Sequence, residues 1–117
     1  MGRRWRWGRR REWGISGLYP TLVLLMISKG ITHGYDIRRK IEELIGAPLP
    51  DGFIYVTLAR LEASGLIVST RVIGDPRGKK LYDLTPVGRQ ELAMRMNELK
   101  KLKNLIDWII SFYESGP

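Results

Sequence analysis

"GFIYVTLARLEASGLI", residues Gly52 to Ile67, decides how the rest of the chain is read. At about 100° per residue, Ile54, Leu58 and Leu61 fall within about 60° of one another, which predicts an amphipathic helix with one inward stripe. Ser64-Gly65 ends it: Gly65 takes the left-handed position after the last turn, and Leu66 folds back onto that turn. The run Leu66-Ile67-Val68-Ser69-Thr70-Arg71-Val72-Ile73 is then rich in β-branched residues and reads as a strand. The outward side of the helix holds Gly52, Val56, Ala59, Arg60 and Ala63, with Phe53 and Tyr55 at its margins. A solvated helix face is ordinarily charged, yet this one is slim and apolar apart from Arg60. Slim side chains suit a major groove about 12 Å wide, where methyl groups touch thymine and a guanidinium meets guanine or phosphate. The competing reading is that Val56 and Ala63 pack beneath a neighbouring element.

Upstream, Ala47-Pro48-Leu49-Pro50 separates this helix from an earlier one, and Asp51 stands where an N-cap is expected. The earlier helix follows Gly34, with Ile37, Ile41, Leu44 and Ile45 at helical spacing. On its polar side Arg38 with Glu42 and Arg39 with Glu43 form i,i+4 pairs worth about 0.2–0.5 kcal/mol each. Gly17 to Ser28 is apolar nearly all round, with Pro20 in a first turn, and predicts a short helix buried on more than one side. Downstream, the cluster Gly74-Asp75-Pro76-Arg77-Gly78 turns the chain into Lys79-Lys80-Leu81-Tyr82-Asp83-Leu84, so the strand pairs as a two-stranded hairpin. Arg77, Lys79 and Lys80 at its tip suit phosphate contacts, or alternatively keep a thin hairpin from edge pairing. Thr85 caps a last helix with Pro86 at its first position.

That helix runs to about Tyr113, some 42 Å at ~1.5 Å per residue, against a radius of gyration near 13 Å for a compact chain of this size. One end must overhang. Leu92, Leu99, Ile106 and Tyr113 recur every seven residues, Leu102 and Ile109 complete a 3,4 spacing, and Leu105, Trp108 and Phe112 form a second row. So broad an apolar surface predicts a homodimer.

Three helices, a hairpin and a long helix make a mainly α (α+β) winged helix-turn-helix. We divide the chain into an arm (1–16), a winged helix-turn-helix domain (17–85) and a dimerisation helix (86–114). The formal charge is +8, from 20 Lys+Arg against 12 Asp+Glu over 117 residues, which favours polyanionic partners. The arm carries Arg3, Arg4, Arg6, Arg9, Arg10 and Arg11 against Glu12, so six positive charges less one give +5 of that total. Trp5, Trp7 and Trp13 interleave with them. Such an arm suits a minor groove flanking the site, a partner subunit, acidic lipid or unpaired bases.

Cysteine is absent and His33 is the single histidine, so disulfides, thiolate chemistry and a histidine-based metal cluster are excluded. No apolar run approaches the ~20 residues of a membrane span, and the start lacks a secretory h-region, so a cytoplasmic protein is expected. Asn97, Asn104 and Gln90 are the only side-chain amides, a composition that fits a thermophilic source. No phosphate loop, catalytic carboxylate pair or nucleophile with its base is evident, so neither catalysis nor a cofactor is expected.

His33-Gly34-Tyr35-Asp36-Ile37, Ile54-Tyr55-Val56-Thr57-Leu58-Ala59-Arg60-Leu61-Glu62, Gly65-Leu66-Ile67 and Lys79-Lys80-Leu81-Tyr82-Asp83-Leu84-Thr85-Pro86-Val87-Gly88 occur in this order and spacing. Together they resemble PadR-type transcriptional regulators over residues 18 to 114. The resemblance implies a dimeric, sequence-specific repressor of double-stranded DNA, with the first helix, through Leu22 and Leu25, joining the last helix in the dimer contact and with Tyr35, Tyr55 and the wing cations near DNA. It also implies a response to a small aromatic effector, with Trp108 helping to line the pocket. Phe53 stands where that pattern more often has a small hydroxyl residue, and Val56 where proline is common. The rival reading is a cationic module acting on membranes or on a protein partner, with the winged helix as scaffold.

Overall fold

A computed structural model describes residues 15–117 of the chain. The elements are α1 (Ile15–Ser28), α2 (Gly34–Ile45), α3 (Phe53–Ala63), β1 (Ile67–Arg71), β2 (Lys80–Leu84) and α4 (Pro86–Glu114). Arg3, Arg4, Arg6, Arg9, Arg10 and Arg11 of the arm lie outside the described residues.

The core is aliphatic. Val23 and Leu24 of α1, Ile37 and Ile41 of α2, Ile54 and Leu58 of α3, and Ile67 of β1 are fully buried. Each such burial is worth about 1.5–3 kcal/mol before the entropy of ordering is charged against it. α1 begins at Ile15, so Pro20 sits inside the helix rather than in its first turn. Pro20 cannot donate to the carbonyl four residues back, while the next hydroxyl, Thr21 Oγ1, donates to the Gly17 carbonyl at 3.2 Å.

Three local expectations change. Leu44 and Ile45 are exposed, because the core stops at Ile41 and α2 runs on past it. The Arg38–Glu42 pair forms (Nε to Oε2 3.2 Å), but no Arg39–Glu43 bridge accompanies it among the described residues. The Arg39 guanidinium instead lies 5.9 Å from the centre of the Tyr35 ring. Finally, Asp51 does not cap α3. The cap is Gly52, at φ 78°, a left-handed turn that only glycine adopts without strain, and the Asp51 carboxylate accepts from Arg38 Nη2 at 3.4 Å.

The loop into α3 is held from α2. The Glu42 carboxylate accepts from the Leu49 amide at 2.8 Å and from Arg38 Nε. The Leu49 amide holds the Glu42 pKa below the ordinary carboxylate range, partial desolvation opposes this, and Arg38 adds to it. A depressed folded pKa contributes stability above the unfolded value, near 4.3, that is lost as pH falls through the folded one. Glu42→Gln is therefore expected to lower the melting temperature at neutral pH and to flatten its decline on acidification, as read by circular dichroism.

β1 and β2 are antiparallel, pairing Ile67 with Leu84, Ser69 with Tyr82 and Arg71 with Lys80 on one face. The Tyr82 amide donates to the Thr32 carbonyl at 2.9 Å, which ties the hairpin to the chain entering α2. At the hairpin's exit the Thr85 amide donates to the Leu66 carbonyl at 3.0 Å, Thr85 Oγ1 donates to the Gly65 carbonyl at 2.6 Å, and the Gly88 amide donates to Thr85 Oγ1 at 3.0 Å. A Cβ on Gly88 would stand 1.9 Å from the Leu66 oxygen, so α4 docks on the link between α3 and β1 only through a glycine. Farther along, Arg95 Nη1 donates to Thr21 Oγ1 at 3.1 Å, clasping α4 to α1. The longest dimension is 66 Å and the radius of gyration 17.0 Å, because from Lys103 onward every α4 side chain is exposed.

Candidate nucleic-acid interface

The outward side of α3 is open. Val56 is 51% and Tyr55 54% exposed, and Gly52, Ala59, Arg60 and Ala63 are exposed as well. Neither Val56 nor Ala63 is buried beneath the hairpin. Phe53, placed at the margin of this side from its angle, instead turns inward: its ring meets Tyr19 edge-on at 5.4 Å and packs against the core. The inward pull of Tyr19 decides a position that the helical period leaves on the boundary.

Between α3, the start of α2 and the hairpin runs a groove of about 840 Å³, lined by Gly34, Tyr35, Tyr55, Ala59, Arg77, Lys79 and Lys80 with His33, Glu62, Asp75, Gly78 and Tyr82. Gly34 makes this arrangement possible, since a Cβ there would approach the Tyr55 ring to 3.0 Å. Tyr35 is 54% exposed at the same mouth. Both acids of the groove are engaged by donors. Glu62 accepts from the Ser69 hydroxyl at 2.8 Å and its amide at 3.2 Å, and Asp75 accepts from the Arg77 amide at 2.9 Å. Burial first, then the charge of Glu62, pushes the pKa of the Tyr82 phenol up, so it remains a neutral hydroxyl.

Among the described residues, the side chains of Arg60, Arg71, Arg77, Lys79 and Lys80 make no salt bridge. Sequence reasoning passed over Arg71. It stands opposite Lys80 in the register, and its Nη1 lies 2.9 Å from where a Gly78 Cβ would be. Like charges placed directly across a strand pair repel, and an anion relieves that repulsion. The alternation of the hairpin was the available signal, since Arg71 shares the face of Ile67 and Ser69. His33 precedes α2 with an extended backbone and no side-chain cap. No metal-binding cluster is present among the described residues.

The residues assigned to self-association divide into two groups. Leu22 and Leu92 are half-buried against the protomer's own core, and Leu25, Leu99 and Leu102 are half-buried too. Ile106, Trp108, Ile109 and Tyr113 are exposed on the overhang, where Trp108 stacks on Phe112 with ring centres 5.0 Å apart.

A helix-turn-helix whose second helix is slim and uncovered, flanked by a hairpin of unneutralised cations, defines a winged helix-turn-helix protein. Residues 23–94 match the model of the transcriptional regulator PadR-like family, and the chain belongs to that family, whose members are regulators rather than enzymes. It is 34% identical over 85 residues to a 37.1 kDa protein of a Streptomyces fradiae transposon, covering 73% of this chain and 24% of that one. It is 40% identical over 57 residues to a transcriptional regulator of Mycobacterium tuberculosis, covering 49% of this chain and 53% of the relative. The chain thus spans about a quarter and about half of the lengths of these relatives. Among solved structures, a PadR family transcription regulator of Clostridium difficile superposes with a TM-score of 0.69 at 25% identity, covering 79% of this chain and 97% of that one. A Streptococcus mutans protein does so at 0.71 and 30%, covering 80% and 87%. No helix of the described residues is long and apolar enough to cross a membrane.

Proposed function

We propose that the protein is a cytoplasmic, homodimeric repressor that presents two copies of α3 to successive major-groove segments of double-stranded DNA. Residues 17–85 form the reading unit and residues 86–114 the dimerisation helix. The reading is carried by the open α3 side, set beside a groove whose cations Arg77, Lys79 and Lys80 make no salt bridge among the described residues. Arg60 reaches base edges, while Gly52, Val56 and Ala59 admit the helix to the groove and offer methyl groups to thymine. Tyr35 and Tyr55 hydrogen-bond phosphate, and Arg77, Lys79 and Lys80 neutralise it without reading sequence. The arm adds affinity on the flanks, and a flat aromatic effector binds near Trp108 of the dimer. Repression follows from occupancy: a dimer seated over a promoter excludes the transcription machinery.

The test is fluorescence anisotropy on a selected duplex and on random duplex across a salt series. Arg60→Ala is expected to cost about 1–3 kcal/mol on the selected site and much less on random DNA. Lys79→Ala and Lys80→Ala are expected to weaken both alike and to reduce the salt slope by about 1 each. Equal losses on both duplexes for all three variants would refute the division of roles.

A further inference from the structure

The core-facing side of α2 runs on after the core has ended. Ile37 and Ile41 are fully buried, but Leu44 and Ile45, which follow on that side one turn later, are 59% and 39% exposed. Ala47, Pro48 and Pro50 of the next loop are exposed as well, so an apolar corner stands open where α2 turns toward α3. Its electrostatics are one-sided. A helix C-terminus carries partial negative charge and favours cations, yet the last turn of α2 holds no basic residue. It holds Glu42 and Glu43 instead. Arg38 engages Glu42, whereas Glu43 is exposed and makes no salt bridge among the described residues. Asp51, at the far end of the loop, approaches Arg38 at 3.4 Å but keeps a fully exposed side chain.

One segment of the chain has the complementary chemistry and joins the domain at this corner. Tyr19, one turn into α1, meets Phe53 edge-on at 5.4 Å, and the loop from Gly46 to Gly52 leads directly into Phe53. Residues 1–14 therefore enter α1 beside that loop. Fully extended they span up to about 46 Å, against 34 and 27 Å for the two shorter dimensions of the described residues, so the whole corner is within their reach. Six arginines less Glu12 give them +5, and Trp5, Trp7 and Trp13 lie among the charges. Indoles offer broad apolar area to Leu44 and Ile45, and guanidinium groups supply the cations that the end of α2 lacks. We infer that, in the protein free of DNA, the arm of each protomer docks on its own α2–α3 corner. Its tryptophans cover Leu44, Ile45 and Pro48, and its arginines pair with Glu43 and Asp51. The same arginines neutralise phosphates when a duplex is bound, so DNA and the corner compete for the arm. The docking itself needs no DNA; the competition rests on the DNA-binding reading above.

The chain has no cysteine, so Lys40→Cys, at an exposed position one turn before Leu44, gives a single site for a nitroxide. Indole N–H resonances of the 15N-labelled full chain are assigned by replacing Trp5, Trp7 and Trp13 with phenylalanine in turn, then recorded with the nitroxide oxidised and reduced. At least one of the three arm peaks is expected to disappear in the oxidised form and to return on reduction. Leu44→Ser with Ile45→Ser, and separately Glu43→Lys, are expected to keep that peak visible in both forms, with an unaltered circular dichroism spectrum showing that each still folds. Three sharp arm peaks in the oxidised full chain overturn the docking, and so does a loss that persists in both sets of variants. A loss that appears when 15N-labelled chain without nitroxide is mixed with unlabelled chain carrying it overturns it too, by placing the arm on the partner. Leu44→Ser with Ile45→Ser changes no charge, and by freeing the arm it is expected to bind random duplex about threefold more tightly in fluorescence anisotropy. Unchanged or weaker binding overturns the competition. If Arg60→Ala fails to discriminate between duplexes, the DNA-binding reading falls while the indole result stands by itself.

Discussion

Ile109→Asp is expected to convert the protein to monomers and to weaken its dimer by about a hundredfold or more, equivalent to roughly 2.7 kcal/mol. At about 100° per residue, the apolar side chains from Leu105 to Tyr113 span an arc of about 200°, and Ile109 lies at its centre. Ile109 is 51% exposed in the protomer, so a carboxylate there meets water and costs the isolated fold little. In a two-fold contact the same carboxylate is buried twice, once from each copy, against apolar neighbours without a donor. Sedimentation equilibrium reads the loss directly. Operator binding should fall further than the dimer constant alone suggests, because two half-sites are then engaged by independent monomers. An unaltered protein that stays monomeric at micromolar concentration would refute the dimer, and with it the paired presentation of α3.

Gly88→Ala is expected to destabilise the fold by about 3 kcal/mol or more, at the upper end of overpacking effects. The added carbon would meet the Leu66 carbonyl oxygen at 1.9 Å, a backbone atom that no rotamer change can move. α4 must then retreat from the link between α3 and β1, which strains the two bonds from Thr85 to Gly65 and Leu66. Thr85→Ala separates the two causes. It removes the cap and its bonds but adds no clash, and should cost only about 1 kcal/mol. By differential scanning calorimetry the glycine variant should melt roughly 10 °C or more below the parent and the threonine variant about 4–8 °C below it. Equal shifts would mean that the cap, not the close approach, secures α4. The joint also sets the direction of α4 relative to α3, so under the proposed function a Gly88 variant that still folds should bind spaced half-sites poorly.

Much of this architecture was written in local patterns. The change of period at Gly65 announced a helix followed by a strand, the Gly74–Gly78 cluster announced the hairpin turn, and Thr85-Pro86 announced the start of α4. The same stretches carried the family resemblance that the match over residues 23–94 upholds. Each signal lies within one element or its cap, where hydrogen bonding and side-chain period act over a few residues.

The sequence by itself determined the order of elements, the slim side of α3, the placement of cations near the hairpin turn and the surplus of apolar surface on α4. Only the tertiary structure decided that Gly52 rather than Asp51 enters α3, that Phe53 turns in to Tyr19, that Leu44 and Ile45 are left outside, and that Arg71 faces Lys80 while Ile73 stands alone at the tip. The physical reason is common to all of these. A helical or strand period sets the angles of side chains relative to one another, but the direction of the core is set by whichever neighbouring elements arrive, and those contacts join residues distant in the chain.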